Sequence, residues 1–295
     1  MSTNHSHRRA VLLMMGAASL WSFAGVVTRH LEAARGFEIS FWRSLFAALF
    51  LIAVLAWRQG TRAMAHSVFA GGRLGLVSGL MWASMFICYM LALTMTTVAN
   101  VLIVSSLSPL LTALLAWTFL SQRIAPRTWL AIAVAGVGML WMFTGSLSLA
   151  GGLSIPALLV AFAVPLTTAT NYVLLNRAGQ HVDLMPSVLI GAVLSTLLMI
   201  PCAWPMQASL HDIIILALLG MFQLALPCMM VVAAAKTLSA PAISLLGLLE
   251  VLLGPFWTWL GAGEVPAQAT LMGGAVVVAA LALNEIAALR KPSVV

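Results

Sequence analysis

Residues 92–131 read ALTMTTVANVLIVSSLSPLLTALLAWTFLSQRIAPRTWLA, and residues 234–273 read AAKTLSAPAISLLGLLEVLLGPFWTWLGAGEVPAQATLMG. The two stretches echo each other at a constant offset of about 142 residues. Ala92/Ala234, Leu107/Leu249, Leu110/Leu252, Leu111/Leu253 and Trp117/Trp259 are identical pairs under that offset, while Ser108 falls on Glu250 and Gln122 on Glu264. Each half of the chain holds five apolar spans. Five is odd, so the halves cross a membrane in opposite senses. Inverted repeats of this kind place a substrate site at the repeat interface near the membrane midplane.

Composition permits no soluble alternative. Of the 295 residues 62% are hydrophobic and 7% are charged, against about 25% charged in a soluble domain. The expected class is an all-α polytopic membrane protein. A net charge of +7 reads as topology signalling in short loops, not as a nucleic-acid surface. Cys88, Cys202 and Cys228 lie inside apolar runs without metal or disulfide spacing. The first apolar run follows Arg8-Arg9 and reads as a span, since no small-x-small cleavage site precedes the polar segment near Arg29.

Breaks at charges, Pro and Gly divide the chain into ten transmembrane helices. They are Val11–Thr28, Ile39–Trp57, Leu74–Leu93, Val98–Leu120, Trp129–Phe143, Ile155–Leu175, Pro186–Trp204, Ile213–Ala235, Ala240–Gly261 and Ala267–Ala288. The halves are expected at 1–149 and 150–295, joined near Ala150-Gly151-Gly152. With the N-terminus inside, eleven basic residues face the cytoplasm: Arg8, Arg9, Arg58, Arg62, Arg73, Arg123, Arg127, Arg177, Lys236, Arg290 and Lys291. Arg29 and Arg35 face outward and Arg43 lies within the second span. The bias places both termini in the cytoplasm, with the chain in the inner membrane. The loops are too short for a soluble catalytic domain. No GxxxxGK[ST] segment supports ATP-driven pumping.

Four pieces of sequence carry a family likeness: Ala18-Ser19-Leu20-Trp21-Ser22-Phe23; Trp42-Arg43-Ser44-Leu45; the run from Ala92 through Ser108-Pro109 to Ile124; and Leu248-Leu249-Glu250 through Glu264-Val265. Together they resemble the drug/metabolite transporter superfamily in its EamA-type ten-span branch, over nearly the whole chain. Two positions depart from the family pattern. Gln122 stands where the family usually has Glu, and the span-nine Glu-Pro pair appears as Glu250-Val251, with proline displaced to Pro255. The resemblance implies a cavity lined by both halves, with spans four and nine in its wall. It also implies a likeness to bacterial exporters of amino acids and related metabolites.

Polar groups in hydrocarbon need a reason. Glu250, near the middle of span nine, requires a partner or a proton. It reads either as a site for a substrate ammonium or proton, or as a structural link across the repeat interface. Arg43 lies about 10 Å deep at 1.5 Å per residue. It either snorkels outward, pairs with Glu250, or holds a substrate carboxylate in its fork. Asn100, Val104 and Ser108 form an i, i+4, i+8 stripe on span four with Ser105 beside it; hydroxyls there also serve as helix glue. Asn171 with Thr168 on span six, and Gln223 on span eight, are further hydrogen-bonding candidates. Trp57, Trp129, Trp141 and Trp204 sit at span ends as interfacial anchors. Trp21, Trp82, Tyr89 and Trp257 lie deeper, as cavity wall or as packing. Gly247, Gly254 and Gly261 recur every seven residues and suggest a close helix passage. Pro109 on span four, and Gly254-Pro255 on span nine, are the expected gating hinges.

These readings converge on a secondary transporter working by alternating access, with amino-acid export as the first substrate class. Drugs, sugars and nucleotide precursors are the alternatives. Proton coupling hinges on Glu250. The expected partners are the lipid bilayer and a small-molecule substrate, with no nucleic acid; nothing specifies an oligomer. No cofactor or metal is indicated. An intramembrane enzyme is disfavoured, because Asp183 and Asp212 sit at span edges and no histidine lies inside a span.

Overall fold

A computed structural model describes residues 2–28, 30–96, 98–142, 155–179, 181–262 and 268–290. Among them every regular element is helical. The first half contains α1 (Ser2–Ser22), α2 (Ala24–Thr28), α3 (Gly36–Gln59), α4 (Thr61–Ala70), α5 (Gly72–Met95), α6 (Val98–Ser105), α7 (Ser108–Leu120) and α8 (Pro126–Met142). The second contains α9 (Ile155–Ala178), α10 (Met185–Ala203), α11 (Leu210–Leu218), a π-helical stretch Leu219–Ala225, α12 (Leu226–Ala235), α13 (Ala240–Gly247), α14 (Leu249–Ala262) and α15 (Gln268–Arg290). Among the described residues eight helical stretches are long and apolar enough to cross a membrane. With α8 and the broken α13–α14 they make ten spans, at the expected positions. The expected boundary between the halves, at 149/150, lies outside the described residues.

The packing repeats when the halves are exchanged. Span three lies against span six (α5 on α9), and span eight against span one (α12 on α1). Span four meets span six (α7 on α9), and span nine meets span one (α14 and α13 on α1). Three contacts map onto themselves: α3 with α10, α8 with α15, and α7 with α13. That is the contact pattern of a two-fold axis in the membrane plane. The fold is therefore two inverted five-helix repeats.

One helix was not foreseen. α4 has no buried residue, and Phe69 is exposed. Glycines at positive φ, Gly60 (82°) and Gly72 (53°), set it off from the spans on either side.

Span breaks fall where the repeat predicts a shared feature. Span four is interrupted at Ser106-Leu107 and span nine at Leu248; Ser106 maps onto Leu248 under the same offset. Each break is one tight turn. Leu107 N–H bonds Val104 O at 3.1 Å, and Leu248 N–H bonds Leu245 O at 3.1 Å, three residues back instead of four. Pro109 opens α7, where a missing N–H is tolerated. The expected hinge at Gly254-Pro255 lies within a continuous helix. α14 runs through both positions, and a Cβ on Gly254 would meet nothing within 4 Å. The interruption of span nine sits one turn and a half earlier, after Gly247. The Pro255 side chain lies outside the described residues.

Small residues and hydroxyls hold the spans together. Ser44 and Ser195 oxygens stand 2.9 Å apart between α3 and α10. Ser78 donates to Asn171 Oδ1 at 2.7 Å and meets Ser187 Oγ at 3.0 Å, which ties α5, α9 and α10. A Cβ on Gly191 would lie 2.4 Å from Trp82 Cβ and 3.1 Å from the Gly79 carbonyl. Gly191→Ala is therefore expected to lower stability by about 1–3 kcal/mol through overpacking. Gly136→Ala, in open space, serves as the neutral control. Thermal unfolding of the two variants in detergent checks the difference.

Two buried carboxylates lash the halves at the end opposite most of the basic residues. Asp212 accepts the backbone N–H groups of Glu32 (2.8 Å), Ala33 (2.9 Å) and Ala34 (2.8 Å) from the first loop. Glu38 accepts those of Gln207 (3.0 Å) and Ala208 (2.8 Å). Each carboxylate thus grips the loop of the other half.

Candidate substrate cavity

A cavity of about 130 Å³ lies between the halves, lined from spans one, two, three, four, six, eight and nine. Spans five and ten pair behind it through α8 and α15. Its wall includes the sequence candidates Trp21, Arg43, Tyr89, Ser105, Ser108, Thr168, Gln223 and Glu250. Phe86, Tyr172 and Ser244 also line it and were not singled out. Helical spacing points to two of them: Val164, Thr168 and Tyr172 run i, i+4, i+8 on α9, and Phe86 lies three residues before Tyr89.

Two candidates fall elsewhere. Asn171 is buried, one residue round the helix from the lining stripe, and its Oδ1 takes the Ser78 hydroxyl. Trp82 is fully buried one turn below Phe86, because Gly191 lets α10 close over it. Both are packing groups in this arrangement. The Asn100 side chain lies outside the described residues. Ser108 donates its hydroxyl to Ser105 O at 2.7 Å, so its proton is already committed.

Span eight delivers Gln223 through its π-helical stretch. A π turn holds an extra residue, and such turns recur at functional sites. Gly220 within it lets the backbone press on α3 at Arg43. A Cβ there would stand 2.5 Å from the Arg43 carbonyl oxygen. Gln223 Nε2 donates to the Trp21 carbonyl at 3.3 Å, beside the break of span one at Phe23. Its Oε1 is buried without a partner among the described residues. The same break is stapled to span nine: Trp257 Nε1 donates to Ser22 Oγ at 2.8 Å, and Phe23 stacks on Trp257 at 4.2 Å.

Arg43 does not snorkel. It is buried, its Nη1 approaches only the Met90 sulfur at 3.6 Å, and its Nε has no hydrogen-bond partner among the described residues. Glu250 sits in the first turn of α14, facing the same cavity. The two are not in ion-pair contact. Ser105 and Ser244 add buried hydroxyls without a described partner. The cavity therefore presents one cation, one carboxylate, and an amide oxygen and two hydroxyls that are unpartnered among the described residues, set among aromatic rings.

Comparison with known proteins places the chain. The model of the EamA-like transporter family matches residues 8–144 and again residues 155–285. The chain is 26% identical over 285 residues to the pseudopaline exporter CntI of Pseudomonas aeruginosa, covering 94% of this chain and 96% of that one. It is 24% identical over 200 residues to an uncharacterized transporter of Vibrio cholerae, covering 66% and 61% respectively. A crystal structure superposes with a TM-score of 0.76 at 18% identity, over 96% of this chain and 99% of the other; it shares the fold. Two family matches, one on each set of five spans, cover nearly all of the sequence, and the chain belongs to the EamA-like transporter family.

Proposed function

We propose that this transporter exports small amphipathic zwitterions, amino acids with apolar or aromatic side chains foremost, across the inner membrane by alternating access. The observation that carries the reading is that Arg43 and Glu250, from opposite halves, both line the cavity without forming an ion pair with each other, and that Arg43 Nε has no hydrogen-bond partner among the described residues. A zwitterion supplies both missing partners. Its carboxylate takes the Arg43 fork, and its ammonium takes Glu250 and Gln223 Oε1. Its side chain lies against Trp21, Phe86, Tyr89 and Tyr172.

Size supports the same class. At about 10–15 Å³ per water-sized group, the cavity accommodates roughly ten non-hydrogen atoms, the size of a free amino acid. The N-terminal ends of half-helices α7 and α14 line the cavity at Ser108 and Glu250, an arrangement that favours the charged carboxylate of Glu250 that receives the ammonium. The interruptions at Ser106-Leu107 and Leu248 are the proposed hinges, and residues 1–149 and 150–295 the rocking halves. Both termini lie in the cytoplasm in this scheme. Glu250 carries a proton when no ammonium is bound, which couples export to the proton gradient. The likeness to a pseudopaline exporter supports a second reading, export of a metallophore by the same residues in a wider cavity.

Proteoliposomes holding the purified chain test the proposal. Labelled leucine, methionine and phenylalanine should show saturable counterflow, faster with an imposed proton gradient. Glu250→Gln should remove the gradient dependence. No counterflow of any amino acid above empty vesicles would overturn the substrate class.

A further inference from the structure

The seam between spans five and ten opens into a groove of about 280 Å³, remote from the cavity. Its depth is set at Gly138. A Cβ there would stand 2.9 Å from the Gly273 carbonyl and 2.9 Å from Val277 Cγ2, so α15 presses its backbone and a side chain directly on α8 at that level. Toward the basic end they leave space between Leu130 and Val134 on α8 and Val276 and Leu283 on α15. Leu130 is 66% exposed and Leu283 67% exposed, so the groove opens sideways, onto the bilayer. From Arg127 to Val134 is seven residues, about 10 Å of helix, a fair part of one leaflet.

The groove is apolar except at one end, where Arg127 and Asn284 stand. Arg127 Nη1 donates to the Ala287 carbonyl, which caps α15 and fixes the guanidinium over the mouth. Its Nε is buried and has no hydrogen-bond partner among the described residues. Asn284 Oδ1 accepts Thr128 Oγ1 at 3.2 Å. The neighbouring carboxylate, Glu285, lies 3.4 Å from His7 Nε2 and accepts Asn284 Nδ2 at 3.4 Å, so it is drawn toward α1. Arg127 is on the side of the bundle that carries most of the basic residues, the level of lipid headgroups.

We infer that this groove is a site for one anionic phospholipid of the surrounding bilayer, its acyl chain between α8 and α15 and its phosphate on Arg127. An acyl chain matches the apolar walls, and a phosphodiester supplies the acceptor that the guanidinium lacks. Basic pockets between transmembrane helices on this side of a membrane are suited to such headgroups.

The test compares the full chain purified in detergent with added phosphatidylglycerol or phosphatidylcholine, read by native mass spectrometry and thermal unfolding. The expected result is preferential retention of phosphatidylglycerol with a raised midpoint. Arg127→Gln should cut that preference about fivefold, the weight of one interfacial cation on an anionic lipid. Ala279→Phe, on the exposed lip of the groove, should reduce retention of both lipids while leaving the fold intact. Equal retention of the two lipids by the unmodified chain overturns the assignment. So does an Ala279→Cys variant that forms an interchain disulfide in vesicles, since a second copy would then cover the groove.

Discussion

Arg43→Met should lose amino-acid transport by about 30-fold or more while the protein stays folded. The first part follows from what a substrate carboxylate gains there. Truncating one partner of a desolvated, hydrogen-bonded charge pair costs about 2–5 kcal/mol, and each 1.4 kcal/mol is a factor of ten. The second part follows from the geometry of the empty cavity. A buried guanidinium with an unpaired Nε, and a sulfur as its one described hydrogen-bond acceptor, is a burden on the fold, so an apolar replacement should hold or raise the unfolding midpoint. Substrate chemistry makes the test specific. An amine lacking the carboxylate should bind the variant as well as it binds the parent. Arg43→Lys should recover part of the activity, as a point charge in place of a fork. A variant that loses its unfolding transition together with all binding would assign Arg43 to the architecture instead.

Asp212→Ala should destabilise the protein more than any change in the cavity. The carboxylate is wholly buried and satisfies three consecutive backbone N–H groups of the first loop. Each buried donor left without an acceptor costs about 1–3 kcal/mol. Water at the membrane surface rescues part of the total, which leaves an expected loss of about 3–5 kcal/mol. Asp212→Asn keeps one or two acceptor positions and should fall between. Thermal unfolding in detergent, with yield of monodisperse protein as a second readout, checks both. A loss under 1 kcal/mol for Asp212→Ala would mean that the loop finds other acceptors and that the two halves are not held there.

The spans were legible because they rest on length and hydropathy, which the bilayer imposes on any sequence. Ten were expected and ten occur among the described residues, nine of them within a few residues of their bounds; the helix of span one begins at Ser2, nine residues before the expected Val11. The cavity was partly legible: a charge in hydrocarbon such as Arg43 or Glu250 announces itself by its cost. What escaped depended on rotation and on the approach of distant segments. Asn171 and Tyr172 differ by one residue, yet one faces a serine cluster and the other the cavity. Trp82 left the wall because Gly191, more than a hundred residues later, lets α10 close upon it. The span-nine hinge was placed at Gly254-Pro255 by composition; the helix breaks instead at Leu248, the partner of Ser106 under the repeat. The glycine and proline pattern of one span was a weaker guide than the correspondence between two. α4 was missed because its ten residues are too polar for a span and read as loop.

The π-helical stretch Leu219–Ala225 has a consequence of its own. A π turn arises when an α-helix carries one residue too many, and the segments on either side keep the faces they would have had without it. The helix can therefore gain or lose this feature by a single-codon insertion or deletion, with α11 and α12 left in register. Removing one residue between 219 and 225 would return the span to regular geometry and turn Gln223 off its present bearing, while Asp212 and the packing of Val231 stayed in place. In this span a cavity group is presented through chain length, so relatives should be compared here first for gaps and only then for substitutions.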